Sequence, residues 1–113
     1  MEPPMYPPST VELARKRREL APAPLQAFKA FSAAVFADGA LPSVTKQLIA
    51  VAVAHTTQCP YCIKGHTAEA LKQGATEQQI MEAIWVAAEM RAGAAYAHSA
   101  LALDVMQHAH EGH

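Results

Sequence analysis

Residues 43–57, S-V-T-K-Q-L-I-A-V-A-V-A-H-T-T, decide the fold class. After Gln47 the stretch is apolar nearly all round, and its β-branched content also lets it be read as a strand. Two features favour a helix. Alanines at 50, 52 and 54 weaken the strand signal, and no turn residue splits the run. A helix that is apolar on every side belongs in the middle of a core. Residues 44–57 are therefore expected to form the central helix, with Ser43 as its N-cap.

Downstream, Pro60 follows Cys59 directly, which places Cys59 at the N-cap and Pro60 at the first position of another helix. That helix is expected to reach about Gln73 and to stop at Gly74. Thr76-x-x-Gln79 is a capping-box pattern that opens the next one, with Ile80, Ile84, Ala87 and Ala88 as its apolar stripe. Gly93 is expected to interrupt or bend it, leaving a last helix over 94–107. Upstream, Leu25, Phe28, Phe31, Val35 and Phe36 recur at helical spacing over 24–37. Pro22 and Pro24 separate that helix from one running from Thr10 to about Leu20. Prolines at 3, 4, 7 and 8 make the first nine residues an extended arm, ordered only where it lies on something. The expected fold is all-α, with about six helices, no sheet and no hairpin. Its parts are an arm and first helix (1–22), a helical core (23–107) and a flexible tail (108–113).

The chain of 113 residues is short enough for one domain, and its formal net charge is −1. That balance argues against a nucleic-acid surface or a basic membrane anchor. The run Arg15-Lys16-Arg17-Arg18 is flanked by Glu12 and Glu19 and reads as a solvated helix face. No signal-peptide pattern opens the chain, and the apolar run 48–54 is too short to span a bilayer. A cytoplasmic location is expected. Hydrophobic residues make up 51% of the chain, much of it alanine, which contributes little buried area per residue. Burial in a homo-oligomer is the expected remedy.

The chemistry is concentrated in C-P-Y-C, residues 59–62, with His66 one helical turn beyond. These are the only two cysteines of the chain. Thiols three residues apart at a helix start can reach disulfide distance, and the helix N-terminus favours a thiolate. His66 lies four residues after Cys62, on the same face, where an imidazole can take and return the thiol proton. Cys62 is then the candidate for attack on an oxidant, and Cys59 for closing the disulfide on the resulting sulfenic acid. The opposite order, with the N-terminal thiol as nucleophile, is open on spacing alone.

Over residues 46–103 the motifs K-Q-L-I-A-V-A-V-A-H, C-P-Y-C-I-K-G-H, L-K-Q-G-A-T-E-Q-Q-I-M-E-A-I and M-R-A-G-A-A stand in this order. Together they resemble the alkylhydroperoxidase D-like (AhpD-like) core of the carboxymuconolactone decarboxylase family. The resemblance implies an all-helical homo-oligomer, often a trimer or hexamer, with a redox-active cysteine pair. It implies a peroxide substrate and an external thiol reductant, with no prosthetic group. It also implies that Cys62 attacks, Cys59 resolves and His66 belongs to a proton relay. Gln47 stands where the peroxidase members carry a relay glutamate, and an amide cannot titrate as a base. His55 and Glu89 are the candidates to replace it. For His55 the plainer role is a helix-end bond to a carbonyl, and for Glu89 a salt bridge.

Three other readings compete. His55, Cys59, Cys62 and His66 have the types and number of ligands for tetrahedral zinc. A redox-sensing oligomer without turnover would use the same dithiol. Carboxymuconolactone decarboxylation needs basic groups for a polycarboxylate, and Lys46, Lys64, Lys72 and Arg91 form no evident cluster.

Overall fold

The computed structural model describes residues 5–109. Among these are five α-helices and no strand: α1 (Val11–Leu20), α2 (Pro22–Phe36), α3 (Ser43–Thr57), α4 (Pro60–Lys72) and α5 (Glu77–Ala109). The all-α expectation holds, and residues 48–54 are helical throughout. α3 is the central element, packed on both α4 and α5. Val51 of α3 is fully buried against Ala70, Ala75 and Ile80, with Val44, Leu48 and Ile84 closing the cluster. Among the described residues, no helix is long and apolar enough to cross a membrane.

The connections in this core are short and chemically closed. Ser43 is the first residue of α3 rather than its cap, which is Pro42. Proline has no side-chain acceptor, so the Asp38 carboxylate receives the Ser43 N–H at 2.7 Å, a favourable place for negative charge. At the other end of α3, Gln58 adopts a left-handed conformation with φ 57°. Cys59 N–H then reaches back to the Ala54 carbonyl at 3.2 Å, a helix-ending turn that folds α4 onto α3. After α4, Gly74 takes φ 99°, and Ala75 N–H bonds the Ala70 carbonyl at 2.9 Å. The expected capping box opens α5, with Gln79 N–H on Thr76 Oγ1 at 3.0 Å and Thr76 N–H on Gln79 Oε1 at 2.9 Å.

Two helix boundaries differ from expectation. α2 starts at Pro22, not Pro24. Pro24 lies in its first turn, where a backbone N–H has no intrahelical acceptor to lose. The expected break at Gly93 is absent, and α5 runs unbroken for 33 residues. One glycine costs a helix only about 1 kcal/mol, and alanines at 92, 94 and 95 support the helix on both sides. The helix extends through Ala109; residues 110–113 of the expected tail, with His110 and His113, and residues 1–4 of the expected arm lie outside the described residues.

At 1.5 Å per residue, α5 is about 50 Å long. Its far half carries Tyr96, Leu101, Leu103, Val105 and Met106, all exposed. The radius of gyration is 20.0 Å, whereas a compact domain of this length has about 13 Å.

Candidate functional site

α4 builds the site. Cys62, His66, Glu69 and Gln73 follow one another at helical spacing along one face of α4 and line a cleft of about 490 Å³. Phe36 from α2 and Gln47 from α3 line the same cleft. Tyr61, between the two cysteines, forms its outer edge.

His66 is fixed from two directions. Its Nδ1 lies 2.8 Å from Gln47 Oε1, and Gln47 is only 5% exposed. The Phe36 ring stacks on the imidazole with centroids 5.2 Å apart and planes 25° from parallel. A carbonyl oxygen only accepts, so the contact puts the imidazole proton on Nδ1 and leaves Nε2 with the lone pair in the neutral ring. This is the arrangement of an oriented base. Gln47 thus orients the ring but, as a neutral amide, carries no charge.

The cysteines are both free thiols, Cys59 partly buried and Cys62 exposed. Cys59 is the N-cap of α4, and its Sγ accepts the Cys62 N–H at 3.4 Å. The neighbouring Cys62 thiol, then the Cys62 and Tyr61 N–H groups, holds the Cys59 pKa below the ordinary thiol value, against an opposing effect of burial. Cys62 is pushed the other way, first by the Cys59 side chain, then by burial and by the Cys59 charge. Of the two thiols, Cys59, the sulfur at the helix N-terminus, is therefore the easier to ionise.

Of the residues singled out from sequence, Cys62 and His66 share the cleft, and Cys59 is bonded to Cys62 just outside it. His55 is elsewhere. Its Nδ1 bonds the Val51 carbonyl at 2.7 Å, and it lines a separate cleft with Ile63, Thr67 and Ile80. The four-ligand zinc set is not assembled, and no group of three or more His, Cys, Asp or Glu side chains is placed to hold a metal among the described residues. Glu89 does not line the cleft. Arg91, on the same helix, donates to the Thr56 carbonyl at 3.0 Å. Neither His55 nor Glu89 lines the cleft that holds His66.

Sequence reasoning missed three contributors. Phe36 was legible as apolar but not as the ring stacked on His66. Glu69 follows His66 by three residues, so helical spacing alone places it on the Cys62 face. The arm contact at Tyr61, whose hydroxyl donates to the Pro7 carbonyl at 2.8 Å, had no local signal.

Curated relatives share most of this chain. A protein of Paracoccus denitrificans, called uncharacterized protein 4 in the cox locus, is 71% identical over 80 residues, which is 71% of this chain and 72% of the relative. A second relative, from Cupriavidus necator, is 42% identical over 83 residues, 72% of this chain and 74% of its own. Among solved structures, a protein from Methanobacterium thermoautotrophicum superposes with a TM-score of 0.70 at 38% identity, covering 74% of this chain and 93% of that one. A carboxymuconolactone decarboxylase family protein from Legionella pneumophila, in its apo form, gives 0.69 at 33% identity, covering 86% and 87%. Residues 22–104 match the family model itself: the chain belongs to the carboxymuconolactone decarboxylase family.

Proposed function

We propose that the protein is a thiol-dependent peroxidase of the AhpD-like kind, with Cys62 as the attacking sulfur. One observation carries this reading: Cys62 opens into the same cleft as an imidazole pinned by Gln47 and Phe36, and its N–H is bonded to the Cys59 sulfur at 3.4 Å. In the first step His66 takes the Cys62 proton, and the sulfur attacks one oxygen of the peroxide O–O bond. Cys62 becomes a sulfenic acid, and the other oxygen leaves as an alcohol or water, protonated by His66. Cys59 then attacks the sulfenic sulfur. A disulfide forms, and hydroxide leaves as water on protonation. An external dithiol restores the pair through a mixed disulfide and is itself oxidised.

The opposed pKa shifts suit this division. The low-pKa Cys59 is a ready resolving thiolate, and it is also the better leaving group when a reductant attacks the exposed Cys62 sulfur. Decarboxylation of a carboxylate lactone fits poorly, because no lysine or arginine lines the cleft and Glu69 does. Like charge at the lining disfavours an anionic substrate.

The same reading makes the protein a homo-oligomer, trimeric or hexameric, in a reducing compartment such as the cytoplasm. The chain exposes 9086 Å², against about 6000 Å² for a compact monomer of its mass. Phe28, Phe31, Trp85, Val86 and Met90 all contribute to that excess.

The test is direct. Reduced protein mixed with hydrogen peroxide or an organic hydroperoxide should lose two thiols per chain, form an intramolecular disulfide and recover with dithiothreitol. Unchanged thiols after such treatment would sink the proposal.

A further inference from the structure

Tyr61 has a position that the proposed chemistry does not use. It immediately precedes Cys62, and it walls two hollows at once: the Cys62–His66 cleft and a groove bounded by Tyr6, Pro7, Pro8 and Lys64. The ring is 43% exposed. The contacts that orient it come from the N-terminal arm, not from the helical core. Its hydroxyl donates to the Pro7 carbonyl at 2.8 Å, and the Tyr6 ring meets it edge-on, with centroids 5.9 Å apart and planes at 88°. The bond to Pro7 joins residues 54 apart in sequence.

The arm is suited to hold a side chain in place. Pro7 and Pro8 fix their own φ angles, so little freedom is lost when this segment lies down. Behind Tyr61, the wall is thin. Gly65 lines both hollows, and a Cβ added there would meet nothing within 4 Å. With no side chain at 65, Tyr61 is the bulk that separates the groove from the thiol cleft.

We propose that Tyr61 is the specificity-determining wall of the Cys62 cleft, and that Tyr6 and Pro7 are positioning residues that strap it shut. The strap sets the size of the electrophile that reaches Cys62. Small oxidants pass with the arm docked, whereas bulky ones need Tyr61 to swing out with the arm released. The choice among peroxides rests on the peroxidase reading given above, but size selection at the Cys62 sulfur does not.

The experiment separates the two. In a Cys59→Ser background, Cys62 is the single thiol, and its initial alkylation rates are measured with iodoacetamide and with N-pyrenylmaleimide. Tyr61→Phe keeps the ring and removes only the bond to Pro7. It should raise the bulky-to-small rate ratio by about fivefold, the size expected for one lost hydrogen bond. Deleting residues 1–9 should raise it at least as far, and Tyr61→Ala further still. Restoring contact in the opposite sense, Tyr6→Trp should leave the ratio at or below the parent value. A ratio that stays within twofold across Tyr61→Phe and the arm deletion overturns the strap, whatever the peroxide chemistry. With Cys59 present, rates of thiol oxidation by hydrogen peroxide and cumene hydroperoxide should show the same ordering. A shifted alkylation ratio with no reaction toward either peroxide keeps the strap and removes the peroxidase. Circular dichroism of Tyr61→Phe checks that the helices are intact, since this variant changes one exposed oxygen only.

Discussion

At α3 and α4 every helix end is closed by a named partner: Asp38 before α3, the Cys59–Ala54 bond after it, Cys59 before α4 and the Ala75–Ala70 bond after it. In α1, α2 and the part of α5 beyond Ala87, no residue is buried. Yet those segments carry much of the chain's large apolar surface, from Phe28 and Phe31 to Tyr96 and Leu101. The contrast separates two tasks. The chain orients its own dithiol and imidazole without help, through α3, α4 and one ring of α2. Its apolar exterior stays exposed and is the surface the proposed oligomer would cover. Chemistry and assembly should therefore fail independently when each region is damaged.

The largest effect is expected inside the closed region. Cys62→Ser should lower peroxide consumption by at least about a thousandfold, as removal of a nucleophile does, with the oligomeric mass unchanged. Cys59→Ser should permit one oxidation that stalls at sulfenic acid, detectable with dimedone. Consumption surviving in Cys62→Ser would make Cys59 the attacking sulfur. The complementary damage lies outside. Light scattering of the parent protein should give a mass well above the 12.1 kDa of one chain. Phe31→Glu with Trp85→Glu should push the mass toward that value, since an unpaired buried charge costs an interface about 3–5 kcal/mol. A parent protein that is monomeric at micromolar concentration would break the comparison altogether.

Gln47 tests how strictly the closed region depends on one polar contact. Gln47→Leu leaves the His66 Nδ1–H without its acceptor and should cost about 1–3 kcal/mol in denaturant unfolding, together with slower thiol attack. Gln47→Glu supplies a carboxylate that stabilises an imidazolium where the amide cannot, and it should speed turnover. If Gln47→Glu leaves the rate unchanged, proton transfer through this pair does not limit the reaction.

How much of this was legible in the sequence depends on distance along the chain. The Cys59–Pro60 helix start and the Thr76–Gln79 box are local patterns, and both appear as read. The α3 stretch was decided by composition over a dozen residues, and burial of Val51 bears it out. The contacts that complete the site are not local. Phe36 reaches His66 from another helix, and Pro7 reaches Tyr61 from the arm. No residue spacing encodes either. His55 and His66 illustrate the limit well. Each stands four residues from a cysteine, but His55 is bonded to a carbonyl of its own helix and His66 to a side chain of another. Asp38 gives the same lesson: it lies two residues beyond α2, and its carboxylate caps the next helix across the loop.

The opposed thiol pKa values give a smaller, directional test. The Cys59 contact is the first cause of the raised Cys62 value. Cys59→Ser removes the neighbouring thiolate while keeping an oxygen at the N-cap. The Cys62 titration, followed by thiolate absorbance or by the pH dependence of alkylation, should therefore move to lower pH. In the parent protein the sign is reversed between the two sites. Cys59 ionises below the ordinary thiol range, so its ionised form stabilises the reduced fold above that range, and the gain is lost as pH falls through the Cys59 value. Cys62 ionises above the range, so its contribution is present below it and is lost as pH rises through the Cys62 value. Over the interval between the two, reduced-state stability should therefore rise to a maximum near the ordinary thiol value and fall beyond it, and an unmoved Cys62 titration in Cys59→Ser would show that the two sulfurs do not interact.

The smallest effect concerns the junction between the regions, where α5 leaves the core. Gly93 sits in the continuous helix, and a Cβ added there would approach only Glu89 Oε1, at 3.4 Å. That oxygen is the far end of a flexible, exposed side chain and can move aside. Gly93→Ala should therefore stabilise the helix by about 0.5–1 kcal/mol, chiefly by restricting the unfolded chain. Thermal unfolding of the 113-residue protein measures it. A gain of this size means that position 93 stays open in the assembly. A loss means that another backbone comes within a Cβ's reach of Gly93, which would put the assembly contact on α5 at the point where the buried core ends.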